Sequence, residues 1–183
     1  MISPKSFSDK WNKDVFPLVE YAMEKINPLS LPKDSKDFLI EAGLPESAAP
    51  FVNFESSFKG GGSRLNEKFK ECKKFSHYIY LGFTGNGDPI CIVENTGEVV
   101  YLDHEDGCSE TFINSSIQQL AESLLEYSEF IKKIKQANGK KAFLEKSAPK
   151  DLIDWVYNKL SEIDSKSLEQ GCFWNEEIDL YSK

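Results

Sequence analysis

Apolar positions recur along this chain first at helical spacing, then at strand spacing, then at helical spacing again. Phe7 and Trp11 fall four apart, which puts them on one helical face, and Ser6 or Ser8 caps a first helix over Asp9 to Lys13. Pro17 interrupts that pattern, so a second helix restarts near Leu18 and runs to about Ile26, where Asn27 and Pro28 stop it. Asp34 or Ser35 serves as the N-cap of a third helix that carries Phe38, Leu39 and Ala42 and ends at Gly43.

The middle of the chain alternates with a period of two. Phe51 to Phe54 is a short strand, and Gly60-Gly61-Gly62-Ser63 reads as a flexible loop. Tyr78 to Phe83 is a strand by its aromatic and branched content, and Thr84 to Asp88 is dense turn chemistry. Pro89 to Val93, a turn over Glu94 to Gly97, Glu98 to Leu102 and a short strand Thr111 to Ile113 follow, which makes successive antiparallel hairpins. Ser115 or Ser116 then forms a capping box with Gln118 or Gln119. Ile117, Leu120, Ala121, Leu124, Leu125 and Phe130 mark one face of a long helix running towards Lys135, and Asn138-Gly139 breaks it. Pro149 suits the first turn of another helix with Leu152, Ile153, Val156 and Leu160 inside, and Cys172-Phe173-Trp174 with Ile178 and Leu180 closes the chain. The fold class is α+β, a single domain over 1–183. Helices at about 6–43 and about 115–183 flank a central, largely antiparallel meander at about 51–113.

Composition sharpens this in three ways. A chain of 183 residues with 40% apolar content builds a core without staples, and its four cysteines show no disulfide spacing. The start lacks an apolar stretch and no apolar run approaches the ~20 residues of a membrane span, so the expectation is a cytoplasmic protein with no membrane partner. The net charge is −8, and Arg64 is the single arginine. Phosphate readers favour the arginine fork, so direct nucleic-acid binding is disfavoured. The charge is also localised. Residues 75–131 contain no Lys or Arg and hold Asp88, Glu94, Glu98, Asp103, Glu105, Asp106, Glu110, Glu122, Glu126 and Glu129, whereas the rest of the chain is slightly positive.

Candidate chemistry is sparse. The glycines of Gly82 to Gly87 precede a strand rather than opening a helix, and no lysine is near, so they form a hairpin turn and not a phosphate cradle. His104 within Asp103-His104-Glu105-Asp106 matches no metal spacing, and no nucleophile signature is present, so neither a metal nor another cofactor is expected. Trp174, beside Asn175, Glu176 and Glu177, is either a core residue or an anchor at the rim of a binding face.

The order of these motifs resembles the SUKH superfamily. Leu31-Pro32 through Phe38-Leu39 to Gly43-Leu44-Pro45 is similar to its N-terminal helix and GLP signature. Gly85-Asn86-Gly87-Asp88-Pro89-Ile90-Cys91-Ile92, Thr96-Gly97-Glu98-Val99 and Phe112-Ile113-Asn114-Ser115-Ser116-Ile117 follow in the family's order, closest to its fourth subgroup. The stretch from Phe58 to Phe75 is a lysine-rich insert that matches no family motif. The resemblance implies a SUKH-like fold and a non-catalytic immunity protein, related to fungal regulators of cell-wall glucan synthesis. Such a protein sequesters a cognate polymorphic toxin, often a nuclease or a nucleic-acid deaminase. The alternative is a regulatory interaction module of the cell-wall type. With a toxin as partner, Asp88, Asp103, Glu105, Asp106 and Glu110, with Trp174, are the candidate binding residues, because an acidic face associates quickly with a basic one. Solvated turn acids are the plainer reading of the same residues.

Overall fold

Helix starts at the N-terminus depend on which side chain can satisfy the first free amides, and Ser3 does so earlier than the periodicity suggests. In the computed structural model, which describes residues 1–69 and 75–182, Ser3 Oγ accepts from the Ser6 amide at 3.2 Å and caps α1, Pro4–Lys10. Phe7 and Trp11 do share a face, with ring centroids 5.8 Å apart, and Phe7 packs on Phe38. The helix expected from Leu18 to Ile26 forms only at its end, as α2, Met23–Ile26. Leu18–Val19 is instead a strand, β1, paired antiparallel with β2, Leu44–Pro45, beyond α3, Lys33–Glu41. Gly43 permits this pairing: a Cβ there would lie 1.9 Å from the Val19 carbonyl oxygen. The N-cap of α3 is Pro32 with no side-chain bond, so neither Asp34 nor Ser35 caps it. Asp34 sits inside the first turn, where its charge favours the helix dipole.

The meander is larger than the pattern indicated. Strands β3, Ser47–Ala48, and β4, Val52–Phe54, precede the short helix α4, Leu65–Lys68; then come β5, Tyr78–Thr84, β6, Pro89–Val93, β7, Val99–Asp103, and β8, Ser109–Asn114. They form one six-stranded sheet in chain order, with every neighbouring pair antiparallel. Phe51 stands outside β4 with φ 65° and is half exposed. Ile79, Leu81, Ile90, Ile92, Val99 and Ile113 face the main core, where they meet Ile117, Leu120, Leu124, Tyr127 and Phe130 of α5, Ile117–Asn138. Ser116 caps α5, accepting from the Gln119 amide at 3.3 Å and donating to Gln119 Oε1 at 2.8 Å.

The other sheet face carries a second apolar cluster of Tyr78, Tyr80, Cys91, Val100 and Leu102, closed by Leu65, Phe69 and Phe75. The described part of the lysine-rich insert is therefore a cover for this face, while Lys70 to Lys74, with Cys72, lie outside the described residues. The glycine-rich stretch leading into it is not the flexible loop expected. Gly62 donates to the Tyr80 carbonyl at 2.8 Å, and a Cβ on Gly61 would sit 1.8 Å from the Glu55 carbonyl oxygen. Glycine is needed there because two backbones touch. Arg64 is held within the fold too, pairing through both terminal guanidinium nitrogens with Glu94 and donating to the Ser76 carbonyl. Burial pushes the Glu94 carboxyl up, but hydrogen bonds from Arg64 and the Ser30 amide outweigh it and hold the group below its ordinary pKa.

The remaining helices are α6, Lys150–Ile163, and α7, Phe173–Asp179, joined through a 3-10 turn at Ser165–Leu168. A buried polar knot ties them to the sheet. Asp164 accepts from the Ser115 amide at 2.6 Å and from Asn114 Nδ2 at 3.3 Å, and Trp174 Nε1 donates to Asn114 Oδ1 at 2.9 Å. Further along α5, the Tyr127 hydroxyl donates to Glu177, which also pairs with Lys146. Burial, followed by the neighbouring Glu177 charge, raises the Tyr127 hydroxyl far above its ordinary pKa, so it stays protonated as a donor.

Candidate binding site at one end of the meander

In an up-and-down meander alternate turns share an end, so the turn after β5 and the turn after β7 are neighbours. Thr84 organises the first: its hydroxyl accepts from the Asn86 and Asp88 amides and donates to Asp88 Oδ2 at 2.9 Å. The other Asp88 oxygen reaches the second turn, accepting from the His104 amide at 3.2 Å and meeting His104 Nδ1 at 2.6 Å. Within that turn Asp103 Oδ1 accepts from the Glu105 and Asp106 amides at 2.8 and 3.1 Å, and Gly107 and Cys108 take left-handed φ values of 60° and 64°. The winding directs Glu105 and Asp106 into solvent. Glu110, opposite Leu102 on β8, is exposed as well and accepts from the Tyr78 hydroxyl at 2.6 Å.

The sequence-derived residues thus divide. Asp103, Glu105, Asp106 and Glu110 share the β7–β8 hairpin end, whereas Asp88 is buried beneath it as the clip between the two turns. Trp174 is fully buried, which settles it as core. Tyr101 identifies a further member that linear reading missed. Burial pushes its hydroxyl up, a hydrogen bond with Thr111 pulls it down, and the charges of Glu176, Asp88 and Asp103 push it up, so it titrates above its ordinary range. Glu176, brought back by α7, therefore acts on Tyr101, although 75 positions separate them in the chain. No local pattern could have signalled that approach.

Ion pairing refines the acidic block. Among its ten acids, Asp88 is held by His104, Glu94 by Arg64, Glu98 by Lys166, Glu129 by Lys132 and Lys133, and Glu122 lies 3.8 Å from the N-terminal amine. Among the described residues Asp103, Glu105, Asp106 and Glu110 take part in no ion pair, and neither does Glu176. Of the block's five acids without an ion pair among the described residues, all but Glu126 of α5 lie on the β7–β8 hairpin. The same residues contain no group of three or more His, Cys, Asp or Glu side chains placed to hold a metal ion. A family model described as SUKH-4 immunity protein matches residues 16–180.

The chain belongs to the SUKH-4 immunity protein family. No curated protein and no solved structure matches it. The matched span runs from just before β1 through α7, so it includes both turns of the acidic end and leaves α1 outside. Membership assigns an immunity protein role, with a toxin as the implied partner. Among the described residues no helix is long and apolar enough to cross a membrane.

The clip between the turns makes a pH prediction. Burial raises the Asp88 carboxyl, but hydrogen bonds from the His104 side chain and amide and from Thr84, with the His104 charge, more than offset it, so the folded pKa lies below the ordinary one. A carboxyl depressed on folding contributes stability that is present above its unfolded pKa of about 4 and is lost as pH falls through the lower, folded value. The amide protection factors of residues 103–109, taken relative to the intrinsic exchange rate at each pH from 7 to 3, should fall once that acid range is entered, and Asp88→Asn should remove the acid-dependent increment. A hairpin equally protected across the range would refute the clip.

Proposed function

We propose that this immunity protein neutralises its toxin by docking the hairpin end that carries Asp103, Glu105, Asp106 and Glu110, with Glu176 of α7, onto a basic, nucleic-acid-handling surface. The toxin class that fits is a nuclease or nucleic-acid deaminase, whose active-site surroundings must attract phosphate and are therefore positive. Occlusion is steric and electrostatic: the acids take the place of the substrate's phosphates, and the bulk of the sheet blocks the approach. Asp88 and Trp174 serve this face from beneath, Asp88 by holding the hairpin and Trp174 by anchoring the start of α7. The inhibitor itself needs no catalytic group, cofactor or contact with nucleic acid.

The observation that carries this reading is that Asp103, Glu105, Asp106 and Glu110 share one hairpin end and take part in no ion pair among the described residues, while Glu176 acts on Tyr101 of the same hairpin from α7. Like charges held together in a fold cost stability and are retained where a partner neutralises them. Co-expression with the product of the adjacent toxin gene, in the cytoplasm of a host that the toxin kills, should restore growth, and the two proteins should co-purify. Failure to bind or protect against any adjacently encoded toxin sinks the proposal and leaves the regulatory interaction module as the better account.

A further inference from the structure

A groove of 780 Å³ runs between the Lys10–Phe16 segment, the β3 edge and α5, away from the acidic hairpin. Val15, Phe16 and Phe51, which are 60%, 40% and 51% exposed, line it together with Leu125 and Ile131 of α5. Large apolar side chains gathered in this way mark an interaction surface. The α5 wall of the groove is also polar in a specific sense. Glu122, Glu126 and Glu129 occupy its first half, and Lys132 and Lys135 its second. Glu126 and Lys135 take part in no ion pair among the described residues, and Lys132 holds only an exposed contact of 3.4 Å with Glu129.

This pattern is complementary to itself when reversed. Setting a second α5 antiparallel to the first matches Glu122 with Lys135, Glu126 with Lys132 and Leu125 with Ile131, and all three pairs are centred within a residue of Ser128. Ser128 lines the groove too, so the crossing point carries a small side chain where two helices would come closest. A two-fold interface demands this property, since each patch must complement its own copy. The Val15–Phe16 rim supplies the convex feature that a concave surface requires.

We propose that the chain forms a two-fold homodimer through this groove, α5 lying antiparallel to α5 of the second copy about Ser128. The groove borders β3 and the acidic hairpin includes β8, the two opposite edges of the six-stranded sheet. At about 4.8 Å per strand the edges are roughly 24 Å apart, so both acidic ends stay open in the dimer. The proposal does not depend on the toxin-binding reading.

Sedimentation velocity on the full chain across a concentration series tests it. The expected result is a reversible equilibrium between the 20.8 kDa chain and a species of twice that mass. Glu122→Lys with Glu126→Lys, or Lys132→Glu with Lys135→Glu, should each weaken self-association about tenfold or more by turning paired charges into like ones. Mixing the two variants should restore the dimer as a heterodimer, because each of the matched positions 122/135 and 126/132 then again joins opposite charges. Circular dichroism confirms that each variant is folded. A wild-type chain that stays monomeric at every concentration overturns the proposal, as does a dimer indifferent to both reversals. So does a monomer that binds its toxin only when Glu122 and Glu126 are intact, which would assign the groove to the toxin.

Discussion

Replacing Trp174 by alanine is expected to cost about 3–5 kcal/mol of folding stability, near the top of the range for a single core truncation. The ring is fully buried and packs at 5.3 Å from Tyr127 and 5.1 Å from Phe173, so its removal opens a cavity between α5 and α7. It also removes the donor to Asn114 Oδ1, leaving a buried amide oxygen at the end of β8 without its partner. Trp174→Phe separates the two effects: it keeps much of the packing and loses the hydrogen bond, at about 1–3 kcal/mol. For a chain of this size each kcal/mol moves the melting temperature by roughly 2–4 °C, so calorimetry resolves both variants. An alanine variant within about 1 kcal/mol of wild type would mean that the ring is not the keystone of this junction. The functional consequence follows from connectivity, since the helix that Trp174 anchors also carries Glu176.

Several elements were legible because the interactions that decide them are local. The turn between β5 and β6 closes on Thr84 and Asp88, four positions apart, and α5 begins where Ser116 meets Gln119, three apart. The segment from Leu18 misled because its partner strand, Leu44–Pro45, lies beyond two helices, and pairing with it outweighed a modest helical tendency. The triple glycine misled for the same reason. Glycines suggest freedom, but Gly61 and Gly62 are selected by backbone contacts to Glu55 and Tyr80, and Tyr80 follows the lysine-rich insert. Nothing in the order of residues announces such a contact.

The candidate site shows the same division. The lysine-free block located the negative charge on the meander and the long helix, which was enough to find Asp103, Glu105, Asp106 and Glu110. It could not separate free acids from committed ones, because the groups that neutralise Glu94 and Glu98 are 30 and 68 positions away. Nor could it find Glu176, which reaches Tyr101 only through the docking of α7. The sheet placed the hairpins, and tertiary pairing then subtracted the structural acids and left those available to a partner.

That subtraction determines how the binding face should be tested. Glu105→Lys, Asp106→Lys and Glu176→Lys together should slow association with the toxin by about 10–100-fold at low salt and flatten its salt dependence, while dissociation changes far less. Asp103 is kept, because its carboxylate caps the hairpin through the Glu105 and Asp106 amides and its loss would alter the loop as well as the charge. Exposed side chains gain little from any single contact in high dielectric, so their effect lies in the field that orients two approaching molecules. That field decays over about 8 Å at physiological ionic strength, and the gap between wild type and variant should close as salt is raised. Stopped-flow or biolayer measurements at several salt concentrations read both quantities directly. If rate and salt slope both stay at the wild-type values while the complex still forms, the toxin binds a different face of the sheet.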